Sequence, residues 1–219
     1  MSNVKILVEG PTEVLFVKEI LKPYFHKKGI FVKPILFQVD GGVPKYSRSQ
    51  REILNTIKSD RSCFCTTLVD FYGLPRGWPG RKDADSCKTY LHKATSVEKA
   101  IFADICVQLG SSFNESRFIP YVQMHEFEAL LFSDTSVLAA SNSTISSHLE
   151  RILQSFSCPE EINDNYNTCP SRQIKQHIED YVKTVNGIIA AQKIGLETMR
   201  RECPHFNDWI RKLESIGSQ

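Results

Sequence analysis

At 219 residues, with 41% hydrophobic and 24% charged side chains, the chain has the composition of an ordinary globular protein and the length for one large-cored domain, or for a core with a smaller appendage. Its net charge of +2 neither demands nor excludes a polyanionic partner, so the placement of charge matters more than the sum. No apolar run approaches the roughly twenty residues that span a bilayer, and residues 2 to 8 read straight into a strand without a basic-then-apolar leader; a cytoplasmic location with no membrane partner is expected.

In chain order, Val4 to Val8 reads as a fully apolar, buried strand. Pro11 suits the first turn of a helix on which Val14, Val17, Leu21 and Tyr24 recur at helical spacing, and Gly29 closes it. A second strand, Val32 to Val39, ends at Asp40-Gly41-Gly42, and a helix from about Ser47 to Lys58 turns Ile53, Leu54 and Ile57 inward. A third strand runs from about Cys63 to Val69. After a Pro/Gly-rich loop, Thr95-x-x-Glu98 reads as a capping box for a helix through Leu109, and Phe118 to Met124 is the fourth strand. Strands alternating with helices predict an α/β fold with a mainly parallel sheet.

From Ser133 onward the β signal fades. Loops rich in Ser, Asn, Asp and Pro surround a short helix near Ser147 to Phe156. Ser171 to Val182 is amphipathic, Gly187 interrupts, Ile188 to Cys203 reads as one helix, and Phe206 to Ile216 as a short final one. The division expected is an α/β core over residues 1–135 and a helical subdomain over 136–219 packed on it. Seven cysteines without any Cys-x-x-Cys argue against a disulfide framework or a structural zinc site. Cys63 and Cys65 share one strand face, and packing explains them.

Chemistry enters with two carboxylates. Lys5-Ile6-Leu7-Val8-Glu9-Gly10 and Thr67-Leu68-Val69-Asp70-Phe71-Tyr72-Gly73 each carry an acid to the end of an apolar run that then breaks at glycine. Side by side in one parallel sheet, Glu9 and Asp70 would meet at the edge where open α/β sheets bind ligands, an arrangement suited to magnesium. An acidic residue also begins turns well, which is the ordinary alternative for either residue alone. Glu13, four residues after Glu9, could reach the same ion directly or through water, or serve as a favourable charge at a helix N-terminus.

Strand, Glu9-Gly10-Pro11-Thr12-Glu13 opening a helix, then a later strand ending at an aspartate: this order resembles the Toprim domain. That superfamily includes type IA and type II topoisomerases, bacterial primases, recombination mediators and the nucleases of the overcoming-lysogenization-defect type. Three further stretches resemble one bacterial family of unknown function with a Toprim-like core: Val69 to Pro75, Phe118 to Phe132 with His125-Glu126-Phe127-Glu128, and Cys203-Pro204-His205-Phe206-Asn207-Asp208-Trp209. The resemblance implies a Toprim-like sheet, Mg²⁺ or Mn²⁺ as cofactor, and phosphodiester chemistry on DNA or RNA. It also implies pairing with a separate ATPase of the chromosome-maintenance or lysogenization-defect type in defence against phage.

The chain departs from the Toprim pattern where Asp-x-Asp becomes Asp70-Phe71-Tyr72. A tyrosine is neutral near pH 7 and is a poor magnesium ligand. Glu126 and Glu128 are the candidate replacements. Read as strand they share a face, whereas read as helix His125 pairs with Glu128 instead. The metal set is therefore Glu9 and Asp70 with Glu126 or Glu128. His125 is a candidate general base or hydrogen-bond partner to a ligand, and Lys183 a candidate stabiliser of developing phosphoryl charge.

Arg76, Trp78, Arg81 and Lys82 follow the Asp70 turn directly and suit a nucleic-acid contact, with the indole stacking on an unpaired base. Arg200, Arg201 and His205 are further phosphate candidates. Leu130-Leu131-Phe132 or the Trp209 helix could form a homodimer interface, with core packing the default for both. The competing reading is a Toprim-like regulatory module that has lost a metal ligand and docks on the ATPase.

Overall fold

A computed structural model of the chain describes residues 2–38, 43–162, 165 and 167–218, and its centre is a parallel sheet. The strands are β1 (Ser2–Val8), β2 (Ile30–Leu36), β3 (Phe64–Asp70), β4 (Phe118–Ile119) and β5 (Val122–Gln123). They lie in the order β2-β1-β3-β4, with β5 also on β3, and every pairing is parallel. Parallel strands need crossover helices, and those helices cover both faces, which is why the central strands are apolar on both sides.

On one face Val4, Ile6, Val8 and Leu68 pack against the helical run 11–26 and the helices after residue 135 in one continuous core. On the other, Leu7, Cys65 and Val69 pack against the helices Tyr46–Ser59 and Tyr90–Leu109. The α/β class, the parallel sheet and the helical C-terminal region are thus as the alternating pattern predicts. Cys63 and Cys65 are buried and form no disulfide. No helix among the described residues is long and apolar enough to cross a membrane. The expected turn at Asp40-Gly41-Gly42 lies outside the described residues.

Several boundaries differ for identifiable reasons. The expected fourth strand is broken at Pro120-Tyr121 into β4 and β5, because proline brings no N–H to the ladder. Two threonines of β3 repair the gap: the Thr67 hydroxyl donates to the Tyr121 carbonyl (2.8 Å) and accepts from the Tyr121 N–H (2.9 Å), while the Thr66 hydroxyl donates to the Ile119 carbonyl. Thr95 lies inside its helix, whose N-cap is Thr89, accepting from the His92 N–H (3.2 Å). The expected helix from Ile188 to Cys203 is two, Ile188–Ile194 and Leu196–Glu202, parted by Gly195 in the left-handed region (φ +78°).

Glu98, freed from any capping role, accepts from the Val122 N–H (3.0 Å) and lies 3.0 Å from His205 Nε2. Glu160, wholly buried, accepts from the backbone N–H groups of His205 (2.8 Å) and Phe206 (3.0 Å), which caps the final helix, Pro204–Ser215. Trp209 on that helix stacks on Tyr121 at 4.4 Å and donates its indole N–H to Thr66 (2.8 Å). Leu130, Leu131, Phe132 and Trp209 are all fully buried, so the two segments named as dimer surfaces are core. Thr66→Val, which keeps the shape but leaves the Trp209 N–H without an acceptor, should lower unfolding free energy by about 1–3 kcal/mol in chemical denaturation, with Thr66→Ser costing less.

Candidate functional site

Parallel pairing sets Val8 opposite Leu68, so the loops leaving β1 and β3 emerge together at the C-terminal edge of the sheet. There Glu9 Oε2 accepts the backbone N–H of Asp70 (3.1 Å). Glu13 turns back toward them from the first turn of its helix, and Glu9, Glu13 and Asp70 each offer an oxygen within 4.8 Å of the others. Gly10 leaves the room for this, since a Cβ at that position would lie 2.9 Å from Glu13 Oε2.

Into the cluster comes Lys183, at the head of a π turn, Lys183–Gly187. Its Nζ lies 3.2 Å from Glu128 Oε2, 3.3 Å from Asp70 Oδ2 and 3.4 Å from Glu13 Oε1. Glu13, Asp70 and Glu128 are almost wholly buried, whereas the lysine side chain keeps 30% of its exposure. Asp70 Oδ1 is buried with no hydrogen-bond partner among the described residues. An unpartnered carboxylate oxygen beside two further carboxylates is a donor set for a hard divalent cation such as magnesium.

Burial governs the protonation of this group. It pushes Glu9 up to about 7, with Glu13 adding to the rise and Lys183 and the Asp70 N–H opposing it. Burial likewise raises Asp70 well above the carboxylate range, against Lys183 and reinforced by Glu9 and Glu13, and it raises Glu128. Burial alone would lower the lysine, but Asp70, Glu128, Glu13 and Glu9 together raise it well above its ordinary value. The surrounding acids thus favour the charged form of Lys183.

Other expected site residues lie elsewhere. Glu126 accepts from the Ser171 N–H (2.9 Å) and hydroxyl (3.1 Å), capping the helix Pro170–His177 rather than joining the metal set. The segment is neither of the regular forms considered: Glu126 is extended and Phe127–Ser133 is a 3₁₀ run, which sends Glu126 and Glu128 to different partners. His125 is buried with its ring edge-on to Phe71 at 5.6 Å.

Trp78 is buried and donates its indole N–H to the Pro44 carbonyl (2.9 Å), which removes it as a stacking platform. Arg81 pairs with Asp85 and lies over the Phe71 ring at 4.2 Å, and Arg76 pairs with Asp85 at 2.7 Å. Lys82 is exposed. Arg200 is held by Glu214 and Asn207, Arg201 by Glu202, and His205 by Glu98, so none of the three reaches the cluster. One neighbour escaped sequence reasoning: Tyr181, whose buried hydroxyl has no hydrogen-bond partner among the described residues and would touch a Cβ at Gly187 at 2.7 Å. Its only sequence signal was membership of an amphipathic stretch.

A family model described as "Domain of unknown function (DUF4276)" matches residues 8–214, which takes in every residue of the cluster. The chain belongs to the DUF4276 family. No curated protein and no solved structure matches it.

In this DUF4276 protein Glu9, pushed up to about 7, keeps in the folded state a proton that the unfolded chain releases near pH 4.5, and the raised Asp70 and Glu128 act in the same direction. Stability without metal must then fall as pH rises between those two values. Burial also raises Glu160 to about 7 against the opposing His205, and His205 is itself raised, because Glu98 and Glu160 outweigh the lowering effect of its burial; both shifts act in the same direction. Thermal melts in EDTA should show a lower Tm at pH 7.5 than at pH 5.5, with a shallower decline in Asp70→Asn.

Proposed function

We propose that this chain is a magnesium- or manganese-dependent phosphodiesterase acting on nucleic acid, with Glu9, Glu13 and Asp70 as the metal-holding set. The observation that carries the reading is the meeting of these three carboxylates at the C-terminal sheet edge with an unpartnered Asp70 oxygen among them. The resemblance of Glu9-Gly10-Pro11-Thr12-Glu13 and the Asp70 turn to Toprim sequences supports it, with Glu13 supplying the carboxylate that Tyr72 does not. When bound, the ion would polarise a phosphoryl oxygen and lower the pKa of a water.

The chain's own groups do the rest. Lys183, whose side chain keeps 30% of its exposure, is placed to meet a phosphate oxygen and to hold charge as it develops. Glu128 keeps the ammonium oriented at 3.2 Å, which makes it a positioning residue. Exclusion of water around Asp70 and Glu13 strengthens every one of these interactions. A cytoplasmic site of action, from the absence of a spanning apolar run or leader pattern, and a separate ATPase partner, from the resemblance alone, complete the reading.

A second reading is favoured by Lys183 itself. With its ammonium within 3.4 Å of three carboxylates, the cluster already holds a cation, as a catalytically silent docking module would. Titration calorimetry with Mg²⁺ and Mn²⁺ separates the two. The phosphodiesterase should bind the ion more tightly at pH 8 than at pH 6, because Glu9 must lose its proton; the silent module should bind none until Lys183→Met removes the competing charge.

Metal-dependent cleavage of plasmid DNA or total tRNA should fall at least about 10- to 100-fold in Asp70→Ala and Glu9→Gln, the cost of losing even an outer partner of a bound metal. Glu126→Gln should leave cleavage within about twofold, since that carboxylate caps a helix away from the cluster. Wild-type activity retained in Asp70→Ala would overturn the assignment.

A further inference from the structure

Strand β2 is the outer strand of the sheet, and a groove follows it. A cavity of about 670 Å³ is lined by Phe31 to Pro34 together with Lys5, Lys18 and Lys22. A second cavity, of about 510 Å³, continues along Ile35, Leu36 and Gln38 and is lined by Arg48 and Arg51. Phe31 to Pro34 line the first, and Ile35 and Leu36 the second, so the two cavities adjoin successive stretches of β2. Leu36 pairs with Val8, immediately before Glu9, so the groove begins at the same sheet edge as the carboxylate cluster and leads away for about 20 Å.

Six cations line this path against two acids, and both acids are engaged: Glu52 accepts the Gln38 N–H (3.2 Å) and pairs with Arg48 (3.5 Å), and Asp60 accepts from the Ser62 N–H (2.9 Å) and hydroxyl (2.7 Å). Lys18, Lys22, Lys33 and Arg51 have no carboxylate partner among the described residues. Apolar groups alternate with them: Phe31 and Leu36 are 37% and 45% exposed, with Pro34 between. Pro34 removes a backbone donor from the outer strand and Lys33 charges it, which disfavours addition of a protein strand. Spaced cations with apolar and aromatic faces between them suit a polymer that presents phosphates and unpaired bases alternately, while a duplex would hide its bases.

We propose that the groove along β2 binds single-stranded nucleic acid and delivers it to the carboxylate edge. This rests on the phosphodiesterase reading for its purpose, though binding in the groove is separable from cleavage. Phe31, edge-on to His26 at 5.2 Å, is the stacking platform, and Lys18, Lys22, Lys33 and Arg51 are the phosphate contacts.

The test is fluorescence anisotropy of labelled 20-nucleotide single strands, as DNA and as RNA, and of the matching duplex, in EDTA to prevent cleavage. Wild type should bind one of the single strands more tightly than the duplex, with affinity falling as salt rises. Lys18→Glu combined with Lys33→Glu and Arg51→Glu should weaken binding about tenfold or more, whereas the same charge change at Lys99, Lys175 and Lys212 should shift it less than about twofold. Phe31→Ala should weaken single-strand binding without affecting the duplex. Equal binding by the groove variant and the wild type, or no binding by wild type, would overturn the proposal, as would a duplex preference. The same strands incubated with Mg²⁺ keep the two readings apart: groove-dependent binding without cleavage sinks the phosphodiesterase and leaves the groove, while cleavage undiminished in the groove variant does the reverse.

Discussion

The Lys183 ammonium among Glu13, Asp70 and Glu128 is the interaction on which the arrangement of this molecule turns. Fully ionised, the four acids of the cluster and one lysine leave a formal excess of three negative charges in a largely buried setting. Such an excess is not tolerated in a low-dielectric interior; it is relieved by protons taken up, by water, or by a cation. The elevated protonation of Glu9, Asp70 and Glu128 is the first of these responses.

The same ion pair joins distant parts of the chain. Asp70 and Lys183 are 113 positions apart, one on the sheet and the other on the helical region, where Gly187 packs closely against Tyr181 and Leu131. A second junction lies at the other side of that region, where Glu160 caps the final helix, His205 meets Glu98, and Trp209 reaches Thr66 on β3. Because the two junctions share one hydrophobic core with the strands, the helical region packs as part of the sheet's covering layer. The hydrogen bonds and ion pairs at both give the interface a specific register that apolar packing alone would not impose, while Asp70 Oδ1 and the Tyr181 hydroxyl keep no hydrogen-bond partner among the described residues.

Much of the core was legible because it depends on local periodicity. The apolar run before Glu9 and the inward face of Tyr46–Ser59 are each written in fewer than twenty residues, and the alternation of strands with helices is the sum of such local patterns. Boundaries were misread where a distant partner competed with the local signal. Glu98 had the spacing of a capping box, yet it serves Val122 and His205; Trp78 looked like an exposed aromatic, yet Pro44 accepts its N–H. In both cases a hydrogen bond to a group more than twenty residues away engaged a side chain that the sequence reading had assigned elsewhere, Glu98 to a helix cap and Trp78 to an unpaired base.

The division at the site follows the same physics. Sequence by itself determined that Glu9 and Asp70 end parallel strands, and hence that they share an edge, because strand direction and the crossover rule follow from local pattern. Only the tertiary structure decided that Glu13 joins them, that Glu126 turns away to Ser171 while Glu128 turns inward, and that Lys183 fills the centre. Those choices depend on side-chain direction and on contacts across more than forty residues, which no periodicity encodes.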